Sequence, residues 1–177
     1  MKMKLATATL LLLTLATAAV WGQVNAGDQK NDTNLPFNMT TVATFTIPWR
    51  IAFLPDGRML VTEKIGPVWL VSAEAQKISP VGNTPAVYWQ GQNGMHGVFP
   101  SLTNASDQSI YLTYVQPGDY AGGLALARAK LNLTATSARL QNFEVLWRQL
   151  PGGKGGQEGA QVAFAPDGTS LFLAVGE

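Results

Sequence analysis

Three observations predict an all-β chain built as part of a radial repeat, a β-propeller. A segment occurs twice: Ile51-Ala52-Phe53-Leu54-Pro55-Asp56-Gly57 returns 111 residues later as Val162-Ala163-Phe164-Ala165-Pro166-Asp167-Gly168. Nearly every apolar run is short and followed by a turn signal. Beyond the first 26 residues, no window of about 11 residues carries a convincing helical stripe. Each repeat copy reads as a strand, a Pro-Asp-Gly turn and a returning strand. Proline presets φ, aspartate bonds the backbone ahead of it, and glycine takes the positive φ. A hairpin that recurs at long interval, with other strands between, is the pattern of blades around an axis. In such a fold the connecting loops carry the chemistry.

Taken in order, residues 1–26 read as a secretory signal peptide. Lys2 and Lys4 precede an apolar stretch, Leu5–Val20, broken only by threonines, and Val24-Asn25-Ala26 supplies a cleavage site. The apolar run is shorter than the roughly 20 residues a membrane anchor needs. Residues 27–40 are polar and read as a flexible N-terminus. Strands are expected near Val42–Thr46, Trp49–Leu54, Met59–Thr62, Val68–Ser72, Gly97–Phe99, Ser109–Val115, Leu124–Lys130, Phe143–Arg148, Gln161–Ala165 and Leu171–Val175. The stretch Ala121–Arg139 has helix-forming composition in part, but its neighbours favour strand. Together these strands fill about two and a half four-stranded blades, and propellers close with about four to eight. With Gly176-Glu177 directly after a strand, the expectation is a fragment of a longer reading frame.

The composition excludes several functions. Cleavage after Ala26 leaves 151 residues with net charge −1 and no basic stripe, which argues against nucleic-acid binding. The absence of cysteine means that disulfides do not hold an exported fold together. A single histidine, His96, and no cysteine leave no metal-binding cluster in the pattern. Asn-x-Ser/Thr sequons begin at Asn31, Asn38, Asn104 and Asn132, and their use depends on a eukaryotic secretory route.

Two loops stand out. Trp89–Gly97 holds three glycines with Gln92 and Asn93, whose amides suit hydroxyl groups, although a tight connector has the same composition. His96, between Met95 and Gly97, reads as a packed or surface residue. Pro151–Gln161 holds five glycines, enough for a loop shaped around a ligand. It lacks the Gly-Lys-Ser/Thr ending of a phosphate loop. Lys154 and Glu158 offer a cation and an acid there, a combination more often simply solvated.

Pro48–Lys64 resembles the opening blade of the soluble PQQ-dependent sugar dehydrogenases, the glucose/sorbosone dehydrogenase family. Gly91-Gln92-Asn93-Gly94 is similar to that family's Gly-Gln-Gly/Asn-Gly-Leu-Leu segment. Ser109–Tyr114 and Ala127-Arg128 match the strands that follow, and Gly155–Glu177 resembles the stretch around the family's catalytic histidine. The resemblance spans Thr41–Glu177 and implies a partial six-bladed propeller, here two to three blades. It implies PQQ with calcium, an aldose sugar oxidised at C1 to a lactone, and an external electron acceptor. It places Gln92 at the position of a sugar-contacting glutamine. It also exposes departures: Gln157 stands at the position of the catalytic histidine, and Gln161 at that of an arginine. A carboxamide takes no proton at neutral pH, so the expectation is an incomplete or inactive form, or else a non-enzymatic exported module. The family's cofactor-binding blades lie beyond the stretch matched here. An open blade edge implies self-association.

Overall fold

The computed structural model describes residues 37–38, 40–118, 122–152 and 158–176. The signal-peptide reading of residues 1–26 lies outside them, as does most of the expected flexible segment. The part from residue 40 onward is almost wholly β. Strands β1 (Pro48–Phe53), β2 (Met59–Glu63), β3 (Val68–Val71) and β4 (Lys77–Gly82) form one antiparallel blade. Strands β5 (Met95–Pro100), β6 (Ser109–Pro117), β7 (Gly122–Leu133) and β8 (Ala138–Arg148) form a second. The hairpin β9 (Gly159–Phe164) and β10 (Leu171–Val175) opens a third. Two parallel pairs, Val81 with Ala138 and Gly82 with Arg139, join β4 to β8 at the outer rim. This is a partial β-propeller of two blades and a half, and the stretch 121–139 that had two readings is strand from Gly122 to Leu133.

The repeated segment folds as its residues dictate. In the first copy Leu54 N donates to Arg58 O (2.8 Å), Gly57 has φ +84°, and Asp56 Oδ1 accepts from Arg58 N (3.0 Å). In the second, Ala165 N donates to Ser170 O (2.9 Å), Gly168 has φ +71°, and Asp167 Oδ1 accepts from Thr169 N (3.0 Å). Phe53 pairs with Met59, whereas Phe164 pairs with Leu171, so the second turn is one residue longer.

Three expectations need correction. Val42–Thr46 is not a strand. Pro48 starts β1 and Ile47 takes a positive φ of 51°, so the alternating run cannot continue into a ladder. Its groups are spent on the blade instead: Thr46 N donates to Glu63 Oε1 (2.7 Å), and Lys77 Nζ lies between the Phe45 and Trp69 rings (4.5 and 3.8 Å). Conversely, β4 went unrecognised because Lys77–Gly82 contains Pro80 and lacks alternation. As the outer strand of its blade it tolerates the missing donor. Strand β8 also begins five residues before the expected Phe143.

The blades are joined by one device used twice. Each inner strand carries a bulge, at Trp49 in β1 and at His96 in β5, where the register slips. Beside the first bulge, Thr62 Oγ1 of β2 accepts from Arg50 N (3.1 Å) and donates to His96 O of β5 (2.9 Å). Beside the second, Thr113 Oγ1 of β6 accepts from Gly97 N (3.0 Å) and donates to Ala160 O of β9 (2.8 Å). Each hydroxyl thus closes its own bulge and grips the bulged residue of the next blade. Around these bridges sits an apolar core of Leu60, Leu70, Met95, Val98, Ile110, Leu112 and Tyr114, all essentially without exposure.

Gly94 governs the approach to β5. Its φ is +134°, and a Cβ there would lie 2.1 Å from the Lys64 carbonyl oxygen, which itself accepts from Met95 N (2.9 Å). Gly168, by contrast, has nothing within 4 Å of a Cβ. Gly94→Ala is expected to cost at least ~3 kcal/mol, because backbone must move, and Gly168→Ala about 1 kcal/mol from φ alone. Urea unfolding of the two variants checks the difference; equal losses would mean the loop can shift freely.

Candidate functional site

The bulges place a polar cluster where the first two blades meet. Lys64 directly follows β2, its N–H donating to Ile47 O (3.0 Å), and it is buried. Its ammonium lies 4.3 Å from the centre of the Trp49 indole and donates to the carbonyl of Gln92. The indole meets the His96 ring edge-on at 6.1 Å. A cation over an indole face gains from the ring quadrupole, more so when desolvated. The turn above is closed by Asn93 N donating to Gln90 O (3.1 Å), with Tyr88 Oη donating to Gln90 Oε1.

Gln92 is on the exposed crest of this turn, held through its backbone, so its carboxamide faces solvent. Asn93, directly below, is fully buried, and neither its Oδ1 nor its Nδ2 has a partner among the described residues. His96 is 4% exposed, and its Nε2 likewise has no partner among the described residues. Buried polar atoms without partners are costly, and they concentrate where a protein does chemistry or binds. Burial and the charge of Lys64 lower the His96 pKa to about 4, so the imidazole is neutral in ordinary buffers. Glu158, half-buried just before β9, has its carboxyl pKa raised by burial, with Lys64 opposing the shift. Burial lowers the Lys64 pKa, and Glu158 opposes that in turn. The third strand line is reached through Arg50, whose guanidinium stacks on Phe99 (4.2 Å) and donates to Gln161 Oε1 (2.6 Å).

Gln157 and Lys154 lie outside the described residues. Glu158 is not the simply solvated charge expected of a loop acid, since it shares its surroundings with Lys64. The reading of His96 as a packed residue agrees with its burial. Lys64 was missed as a site residue because nothing in its local sequence shows that β2 ends under the Gln92 turn. Asn104, the third sequon, is a structural amide: it is buried and its Nδ2 donates to Ser109 O (2.8 Å). Among the described residues no three His, Asp or Glu groups stand close enough to hold a metal ion. Nor is any helix among them long and apolar enough to cross a membrane.

His96 carries a pH dependence. The unfolded chain binds its proton near 6.5 and the folded chain only near 4, so stability falls as pH drops between those values. Wild-type protein is expected to lose roughly 2–3 kcal/mol across that window that His96→Leu keeps. Urea midpoints of both proteins from pH 7 to 4 measure this, and parallel profiles would show that the imidazole is not shielded from water.

The chain is similar to known proteins over this same region. Residues 45–177 match the family model described as glucose/sorbosone dehydrogenase. Aldose sugar dehydrogenase YliI of Escherichia coli K12 is 31% identical over 132 residues, which are 73% of this chain and 35% of that protein. A crystal structure of a glucose dehydrogenase superposes with TM-score 0.69 at 34% identity, over 75% of this chain and 38% of its own. The PQQ-bound aldose sugar dehydrogenase of Streptomyces coelicolor gives TM-score 0.66 at 27% identity, over 78% and 41%. The chain therefore spans little more than a third of these relatives' length. With the family model covering the blades from Phe45 onward, this chain belongs to the glucose/sorbosone dehydrogenase family.

Proposed function

We propose that this chain is the opening part of an exported PQQ-dependent sugar dehydrogenase-like protein. Residues 1–26 are its signal peptide, 27–40 a flexible lead, and 41–177 its first blades. In that reading the whole protein oxidises the C1 hydroxyl of an aldose to a lactone and passes electrons to an external acceptor. PQQ supplies the acceptor chemistry for hydride when bound, and calcium accompanies it in the family. The described residues do not fit that group on their own. They bring one ammonium, Lys64, to the loop cluster and no set of three metal ligands.

What this section contributes is a sugar-side surface. The observation that carries it is exposed Gln92, whose main-chain carbonyl accepts from Lys64 and which stands above the Asn93 amide, itself without a partner among the described residues. Primary amides donate and accept at once, which matches sugar hydroxyls. The section brings no effective base. At the family's histidine position stands Gln157, and loss of a general base costs about 10²–10⁴-fold in rate. Glu158 is the adjacent carboxylate; burial raises its pKa and the charge of Lys64 opposes the rise. The alternative, a non-enzymatic exported propeller module that binds sugar or protein, is favoured by the same glutamine.

The chain mixed with PQQ, calcium, glucose and a dye acceptor is expected to reduce no dye. Gln157→His alone is expected not to restore reduction, because one imidazole does not supply the cofactor's binding groups. Dye reduction by the wild-type chain would refute the inactivity. Reduction by Gln157→His alone would refute the assignment of cofactor binding to other blades.

A further inference from the structure

The turn that carries Gln92 joins β4 to β5, between the two complete blades. Trp89, Gln90, Gly91 and Gln92 are four exposed residues in a row, between half-buried Tyr88 and fully buried Asn93. The bond from Asn93 N to Gln90 O (3.1 Å) closes the turn and holds its ends within about 7 Å. The second blade braces it as well. Tyr88 N donates to Val115 O (2.8 Å), and a Cβ at Gly122 would lie 2.8 Å from Tyr88 Cδ1, so β7 backs that ring closely. Tyr88 Oη donates to Gln90 Oε1, which leaves the Gln90 Nε2 group to donate elsewhere.

Trp89 is 52% exposed although it is the largest side chain of the loop. One edge is seated: its Cδ1 lies 3.3 Å from the position of a Cβ at Gly94, the glycine that lets Lys64 pass beneath. Much of the indole meets solvent. Between it and Gln92 stands Gly91, with φ +59°, and no described atom comes within 4 Å of a Cβ there. An apolar ring, an open notch and two carboxamides thus share one short, braced turn.

We propose that Trp89 and the Gly91 notch form a second saccharide subsite, which holds a further sugar unit of an oligosaccharide whose reducing end lies at Gln92. The subsite rests on the reading of Gln92 as a sugar-side residue. A pyranose is amphipathic, with hydroxyls around its edge and C–H groups on its faces. An indole that covers such a face gains by the apolar area removed from water, at low cost in side-chain entropy. The Gln90 and Gln92 carboxamides serve the hydroxyls at the edge. A monosaccharide held at Gln92 leaves Trp89 uncovered, so the subsite discriminates by chain length.

Titration of the purified chain with glucose, maltose and cellobiose, followed by nuclear magnetic resonance of its indole and carboxamide N–H groups, tests this. At least one disaccharide is expected to bind about fivefold tighter than glucose. It is also expected to move the Trp89 Nε1–H signal, which glucose leaves in place. Trp89→Ala is expected to lower disaccharide affinity to that of glucose and leave glucose binding unchanged, whereas Trp89→Phe keeps most of the gain. Gly91→Asn fills the notch with a residue that tolerates the positive φ and is expected to give the same selective loss. Gln92→Ala is expected to weaken all three sugars alike. Equal affinities for the three sugars overturn the subsite while leaving Gln92 its role. Trp89→Ala weakening glucose as much as the disaccharides overturns it too. Binding of none of the sugars overturns both readings together. Should Trp89→Ala misfold, the wild-type affinities and the movement of the Trp89 signal still decide.

Discussion

Two threonine hydroxyls hold the blades in register. Thr62 and Thr113 are both fully buried, and each takes one backbone N–H from its own inner strand and gives one hydrogen bond to the next. A β-bulge leaves an extra residue outside the ladder, and in an apolar interior its carbonyl would cost on the order of 1–3 kcal/mol if it were orphaned. The threonine settles both sides of that debt at once. The hydrophobic effect presses the blades together, but it is indifferent to sliding. The hydroxyl bridges supply the direction that burial lacks.

The polar cluster follows from this geometry. Because the bulges push Trp49 and His96 out of the regular pleat, their rings meet across the blade junction. Because β2 then runs on to Lys64, its ammonium is delivered under the Gln92 turn. Gly94 is what lets the two backbones pass so closely. None of these groups is placed by a flexible loop. The cluster is preorganised by strands at Trp49 and His96 and by hydrogen-bonded turns at Lys64, Gln92 and Asn93, an arrangement that keeps the buried amide and imidazole in place.

Much of the architecture was legible in the residues. The doubled hairpin, its Pro-Asp-Gly turns and the count of two and a half blades could be read because turn chemistry is local. The limits of β4 and β8 could not, because an outer strand needs little alternation and draws its order from its neighbour. The segment 42–46 misled for the opposite reason: it alternates well, but its partners are side chains and not a ladder. At the site, Gln92 and Asn93 stood out as amides between glycines. Lys64 did not, since its importance depends on a crossing of chain segments 28 residues apart. The bulges were invisible for the same reason, as a register slip exists only between two strands.

The gripping bonds go to main-chain oxygen atoms, so they do not depend on which side chain stands at the bulge. In this chain those positions hold an indole, an imidazole and a methyl group, at Trp49, His96 and Ala160. A substitution there changes the chemistry presented at the blade junctions while the hydroxyl bridges keep their partners, within the space that the burial of His96 and Ala160 leaves.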